Sequence, residues 1–279
     1  MTESLLTGVL HVPARDIPIP GGLSDAARAQ MSTPMQQNPP WPAADDAIGW
    51  RELIAQSNAQ NLAGLQMIGG HLPAEVETID SHGVTVYVVT PEGVDPDDQA
   101  VYLDIHGGAL LWGFGEACRA LGVITAHMMQ SRVWAVDYRM PPDHPFPTGL
   151  DDCVTAYRAL LRETSPENVV IGGNSAGGNL AAAMILRLRD QGLPLPAGAV
   201  LLTPELDLTE SGDTFNTLMG VDTGLTSRLM PANLVYAGGH PLDDPYVSPL
   251  FGDFAAGFPP TYLQSGTRAL FLSNSVPMH

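Results

Sequence analysis

The chain contains no lysine: its twelve basic residues are all arginines, set against thirty acidic residues, for a formal charge of −18. That excess of negative charge works against nucleic-acid phosphates or an anionic membrane surface as partners, and it disfavours a strongly anionic substrate. Cysteine is scarce as well. Cys118 and Cys153 lie far apart, form no C-x-x-C pair and lack metal-ligand spacing. Two buried free thiols are therefore expected rather than one bridge, with no metal and no cofactor. No run of about 20 apolar residues occurs, which excludes a spanning helix. The opening "MTESLLTGVLHVPARD" has no basic segment followed by a long apolar run, so it does not read as a signal peptide. These absences leave a soluble cytoplasmic protein as the expectation.

What remains is a 279-residue chain, 44% hydrophobic and 15% charged, long enough to bury a large core in one or two domains. "DDAIGWRELIAQSNAQNLAGLQMI" repeats apolar residues at three and four, as a helix does. "EVETIDSHGVTVYVVTP" reads as two strands joined by a turn at Ser81, His82 and Gly83. Apolar strand candidates follow at 100–108, 132–139, 168–175, 197–204 and 260–266, and helical stretches separate most of them. Short apolar strands alternating with helices predict crossover units around a mostly parallel sheet, an α/β fold. Between 205 and 259 the rhythm breaks, with one helical segment near "LTSRLMPANLVYAGG". That stretch is too long for an ordinary crossover. It predicts an insertion over one edge, a cap built from about 1–50 and about 206–240 within a single domain.

The chemistry concentrates at Gly173-Asn174-Ser175-Ala176-Gly177, where a strand should turn sharply into a helix. Glycines on either side let strand and helix approach, the turn projects the Ser175 hydroxyl, and the helix N-terminus offers N–H groups to developing negative charge. The competing reading is a small-residue turn that only packs a helix tightly. A second motif, "DIHGGALLWG", places His106, Gly107 and Gly108 just after a strand. The N–H groups of the two glycines, with that of Ala176, can meet an oxyanion. His106 invites a general-base role, but a histidine opening such a loop is expected to hold the loop by hydrogen bonds.

"HGGAL", "VDYRMPPDHPFPTGLDD", "GGNSAGGNLA" and "DPYVSPLFGD" together resemble the bacterial hormone-sensitive-lipase-like carboxylesterases, a branch of the α/β-hydrolase superfamily, from about residue 40 onward. The resemblance implies a helical cap forming an acyl pocket and hydrolysis of short-to-medium acyl esters. It also implies Ser175 as nucleophile and Gly107, Gly108 and Ala176 as oxyanion donors, with Asp137, Arg139, Asp143 and His144 as scaffold. Its pattern puts the catalytic acid in a D-x-L segment after a "PTYLQSG"-like strand. Here "GTRALFLSN" stands there, and the matching position is Ala269.

The pattern's histidine lies beyond a further helix and strand, whereas His279 falls in the helix after the acid position. By this match the last strand and terminal helix are missing. "PTYLQSG" would then be an uncovered sheet edge, open to self-association. Asn274, Glu205 and Asp207 lie near strand ends, but a carboxylate alone is a poor base for a serine hydroxyl. Three expectations stay open: an ester hydrolase with a broken relay, an inactive protein binding a small ester or other apolar ligand on the same scaffold, or a function residing in protein contacts.

Overall fold

Residues 74–91 form a hairpin because two residues with positive φ, His82 at 55° and Gly83 at 88°, give the turn the twist that suits flanking strands. It joins β1 (Ala74–Ser81) to β2 (Val84–Pro91), paired antiparallel from Ala74 against Pro91 to Ser81 against Val84. The computed structural model describes residues 12–32, 40–95 and 97–279. The chain divides into residues 1–37 and 38–279. The first unit by itself contains the helix α1 (Asp25–Ser32). Parts of the expected cap, residues 1–11 and 33–39, lie outside the described residues.

In the second unit, α2 (Ala47–Ile68) starts where Asp46 accepts the Gly49 N–H at 2.9 Å, an N-terminal cap. After the hairpin come β3 (Val101–Ile105), α3 (Glu116–Met129), β4 (Arg132–Asp137), α4 (Thr148–Leu160), β5 (Val169–Asn174), α5 (Ala176–Asp190) and β6 (Gly198–Leu202). Two short helices follow, α6 (Thr214–Thr217) and α7 (Met230–Ala237), then β7 (Thr261–Gln264) and α8 (Leu272–Met278). Among the described residues, seven strands are ordered β1-β2-β4-β3-β5-β6-β7. β2 is antiparallel to both its neighbours, and the pairs from β4 through β7 are parallel. The sheet is thus mixed at one side and parallel elsewhere, in line with the α/β expectation.

Alternation along the central strands sorts the core into two layers. Leu103, Trp134, Val136 and Ile171 pack with α4 and α5, whereas Tyr102, Val133 and Ala135 pack with Cys118, Val123 and Ala126 of α3. All five residues of β3 are buried, as expected of a strand covered on both faces. Among the described residues β1 and β7 are the two edge strands, and Thr261, Tyr262 and Gln264 of β7 are exposed. A separate apolar cluster joins Trp50 and Ile54 of α2 to Phe215 of α6, Ala232 of α7, Leu111, Leu229 and Phe271. This is the core of a helical cap over the carboxyl ends of the strands.

Candidate active site

Ser175 sits between the last residue of β5 and the first of α5, with φ 55° and ψ −121°. A side-chain-bearing residue rarely adopts that backbone, and the turn persists because its surroundings determine it. Its N–H donates to Leu202 O at 3.0 Å, and its own carbonyl accepts from Glu205 N at 3.2 Å. The loop after β6 therefore grips the turn from one side. β3 presses from the other, so closely that a Cβ on Gly177 would lie 2.7 Å from His106 O and collide with Ile105 O. A Cβ on Gly173 would come within 2.5 Å of the same Ile105 carbonyl. Only glycine at both places lets β5, the turn and α5 stack against β3.

The glycine loop meets this turn directly. A Cβ on Gly107 would be 2.7 Å from Asn174 O and 3.5 Å from the Ser175 Cβ. The N–H groups of Gly107 and Gly108 donate to no acceptor among the described residues, and that of Ala176 belongs to the first turn of α5, which lacks an intrahelical acceptor. Asn174 is held by its Nδ2 donating to Leu202 O at 3.0 Å. Beyond the glycines, Asn58 of α2 accepts the Gly113 N–H at 2.7 Å and donates to Phe114 O at 3.2 Å. This helix-to-loop clasp carries no local sequence signal beyond an amide on the inward face of a helix.

His106 is buried, 1% exposed. Its Nδ1 lies 2.8 Å from Gly107 O, its ring stacks on Tyr138 at 4.2 Å, and its carbonyl accepts from the Tyr138 hydroxyl at 2.8 Å. Burial pushes the imidazole down to about 4, only partly offset by the bond to the Gly107 carbonyl. At neutral pH it is an uncharged ring donating through Nδ1, a loop-holding arrangement. The "DYRMPPDHP" residues are tied into the scaffold. Asp137 accepts the Gly115 N–H at 2.9 Å, Arg139 forms two side-chain bonds to Asp152 at 2.9 and 2.7 Å, and Asp143 pairs with Arg51 at 2.6 Å.

Ser175 opens onto a cavity of about 310 Å³ lined by Asn61, Leu65, Gly107, Gly108, Ala109, Trp112, Leu121, Asn174, Ser175, Leu225 and Leu229. A neighbouring cavity of about 450 Å³ shares Asn61 and Trp112 and adds Trp41, Leu53, Gln56, Ser57 and Gln60. Among the described residues, neither lining includes a charged residue or a histidine. Of the sequence-derived candidates, the structure brings together Ser175, Asn174, Gly107 and Gly108 at the cavity, with Gly173, Ala176, Gly177 and His106 directly behind. Ala269, in the turn before α8, and His279, exposed at the end of α8, are not among the lining residues.

The other three polar residues near the strand ends serve the fold. Asn274 Oδ1 accepts from Leu206 N at 2.7 Å and Asp207 N at 3.0 Å, and Asp207 is taken up by Thr209 and Ser211. Glu205 is wholly buried, and burial pushes it up to about 8, partly offset by the neighbouring Asn233 amide. The cavity's side chains from α2 and from 225–229 escaped sequence reasoning. The one available trace was the polar pair Ser57 and Asn61 on an otherwise apolar helix stripe.

A family profile described as "alpha/beta hydrolase fold" matches residues 102–279. An esterase of Acinetobacter venetianus is 37% identical over 174 residues, 61% of this chain and 57% of that protein. An acetyl-hydrolase of Streptomyces hygroscopicus is 37% identical over 189 residues, 66% of this chain and 63% of that protein. The chain thus spans about three fifths of the length of these curated relatives. Among solved structures, that of an esterase E25 superposes with a TM-score of 0.86 at 35% identity, covering 97% of this chain and 85% of that one. An esterase from the bacterial hormone-sensitive lipase family gives 0.69 at 29% identity, covering 90% and 79%. The strained serine turn, the glycine loop packed against it and these likenesses agree: this chain belongs to the α/β-hydrolase fold family, in its hormone-sensitive-lipase-like branch.

Proposed function

We propose that this chain carries the nucleophile and oxyanion donors of a carboxylic-ester hydrolase for neutral, short-to-medium acyl esters. The observation that carries the reading is the positive-φ turn at Ser175, set 3.5 Å from the position a Gly107 Cβ would take and open to an uncharged cavity. In this reading Ser175 Oγ attacks the ester carbonyl, and the N–H groups of Gly107, Gly108 and Ala176 hold the tetrahedral oxyanion. Water then releases the acyl group. The volume of about 310 Å³ is at the small end of ligand pockets and suits a short acyl chain. The two free buried thiols fit a reducing, cytoplasmic setting.

The same proposal includes a weak relay. By the resemblance Ala269 stands at the acid's position, and among the described residues the cavity lining offers Ser175 neither an imidazole nor a carboxylate. Loss of triad members costs on the order of 10⁴ in rate, leaving what binding and the oxyanion donors supply. That lining also favours a second reading, a catalytically silent pocket that binds a neutral ester or other apolar ligand. Hydrolysis of p-nitrophenyl acetate and butyrate by the chain and by Ser175→Ala separates the two. Turnover above that of the variant supports the weak hydrolase. Equal rates with quenching of tryptophan fluorescence by ester in both proteins support the binding protein.

A further inference from the structure

His106, Cys118 and Asp137 come from three different elements: the end of β3, the first turn of α3 and the end of β4. The fold brings an imidazole nitrogen, the Cys118 Sγ and a carboxylate oxygen within 4.8 Å of one another. His106 and Cys118 are buried, and Asp137 is half-buried. Sequence spacing offers no hint of this, since the three positions fit no metal-binding motif.

The state of His106 makes the grouping more than a coincidence of packing. Its Nδ1 is engaged with the Gly107 carbonyl at 2.8 Å, so that nitrogen carries the proton and Nε2 keeps its lone pair. Nε2 is buried and has no hydrogen-bond partner among the described residues. An imidazole that donates one N–H to a backbone carbonyl and presents the other nitrogen bare is the form in which histidine binds a metal ion. Asp137 is prepared in a similar way, one oxygen accepting the Gly115 N–H at 2.9 Å. Its side chain also borders a separate cavity of about 430 Å³, lined in addition by Arg51, Thr85, Phe114, Tyr138 and Arg139, which gives a route from solvent.

We propose that His106, Cys118 and Asp137 form a binding site for a zinc-class divalent cation, distinct from the Ser175 cavity. A thiolate and a carboxylate neutralise the two positive charges, and the neutral imidazole adds a third ligand, leaving a fourth position open toward the cavity for water. A mixed nitrogen, sulfur and oxygen set selects zinc or cobalt over magnesium or calcium, which take oxygen ligands. Metal–ligand bonds of about 2.0–2.3 Å place ligand atoms roughly 3.3–3.8 Å apart, so closure draws the groups inward by about 1 Å or less. Binding releases the Cys118 thiol proton to solvent. Because His106 also holds Gly107, the ion fixes the imidazole from its far side and stiffens the glycine loop.

Titrating the EDTA-stripped chain with Co²⁺ tests the site. The expected result is one equivalent bound, with a thiolate-to-cobalt charge-transfer band and the intense d–d bands of four-coordinate cobalt, displaced by Zn²⁺. Cys118→Ser abolishes the charge-transfer band, Cys153→Ser retains it, and Asp137→Asn weakens binding by about tenfold or more. X-ray absorption at the zinc edge of the unaltered chain covers the event that Cys118→Ser fails to fold, and one sulfur neighbour at about 2.3 Å is expected. Absence of the charge-transfer band in the unaltered chain, its persistence in Cys118→Ser, or zinc bound with no sulfur neighbour overturns the proposal.

Discussion

The turn at Ser175 and the segment from Ala269 to His279 are built on different principles. At Ser175 the geometry is set by backbone: a positive-φ residue, two glycines against the Ile105 carbonyl, and loop N–H groups with no acceptor among the described residues. At the C-terminal segment the buried polar side chains bind the fold itself. Asn274 clamps the loop after β6, and Ser273 Oγ and Thr214 Oγ1 contact each other between α8 and α6. Oxyanion stabilisation needs only local backbone shape, whereas a base and its orienting acid must be carried by side chains from distant strands.

The strongest way to break the nucleophile half is to add one methyl group. Gly177→Ala drives a Cβ into the Ile105 and His106 carbonyls. It should cost about 4 kcal/mol or more, read as a fall in the urea midpoint or as loss of soluble protein. An unchanged midpoint would show that the turn is looser than its contacts imply.

The loop that links the two regions carries the next effect. Burial raises the Glu205 carboxyl to about 8, well above its value in an unfolded chain. The folded state therefore holds this proton more tightly, so its stabilisation is complete below about pH 4.3 and is lost as pH rises through about 8. Glu205→Gln should flatten that decline and raise stability at pH 9 by a few kcal/mol at most, measured as melting temperature against pH. A parallel decline in both proteins would sink the assignment.

Asn274→Ala removes acceptors for two buried N–H groups and should cost about 2 kcal/mol. If the C-terminal segment is scaffold, ester turnover per folded molecule stays at the level of the parent chain, and a specific loss of turnover would reassign Asn274 to the chemistry. The smallest effect is expected at Ala109, held at φ 52° beside Gly108. Ala109→Gly relieves an unfavourable backbone and should stabilise the loop by about 1 kcal/mol in thermal unfolding.

The elements and the serine turn were legible because their signals are local. β3 to β7 fall within the apolar runs marked in the sequence, and the hairpin turn lies at the stated residues. The clasp of Asn58 on the glycine loop was not legible, nor was the wall that Leu225 and Leu229 give to the cavity. Those contacts join positions about 50 or more residues apart, where neither periodicity nor turn chemistry carries information.

The sequence by itself determined the alternation of strands and helices, the glycines on which the Ser175 turn depends, and the alanine at 269. Each of these follows from steric and chemical properties that a residue carries into any environment. Only the tertiary structure decided that His106, expected to hold its loop, is a neutral ring with one nitrogen unpartnered among the described residues, and that Glu205 is wholly buried. It also decided that Cys118 Sγ and an Asp137 carboxylate oxygen come within 4.8 Å of an imidazole nitrogen of His106. Protonation, desolvation and ligand geometry belong to a site rather than to a residue, and a site exists only after distant segments have packed.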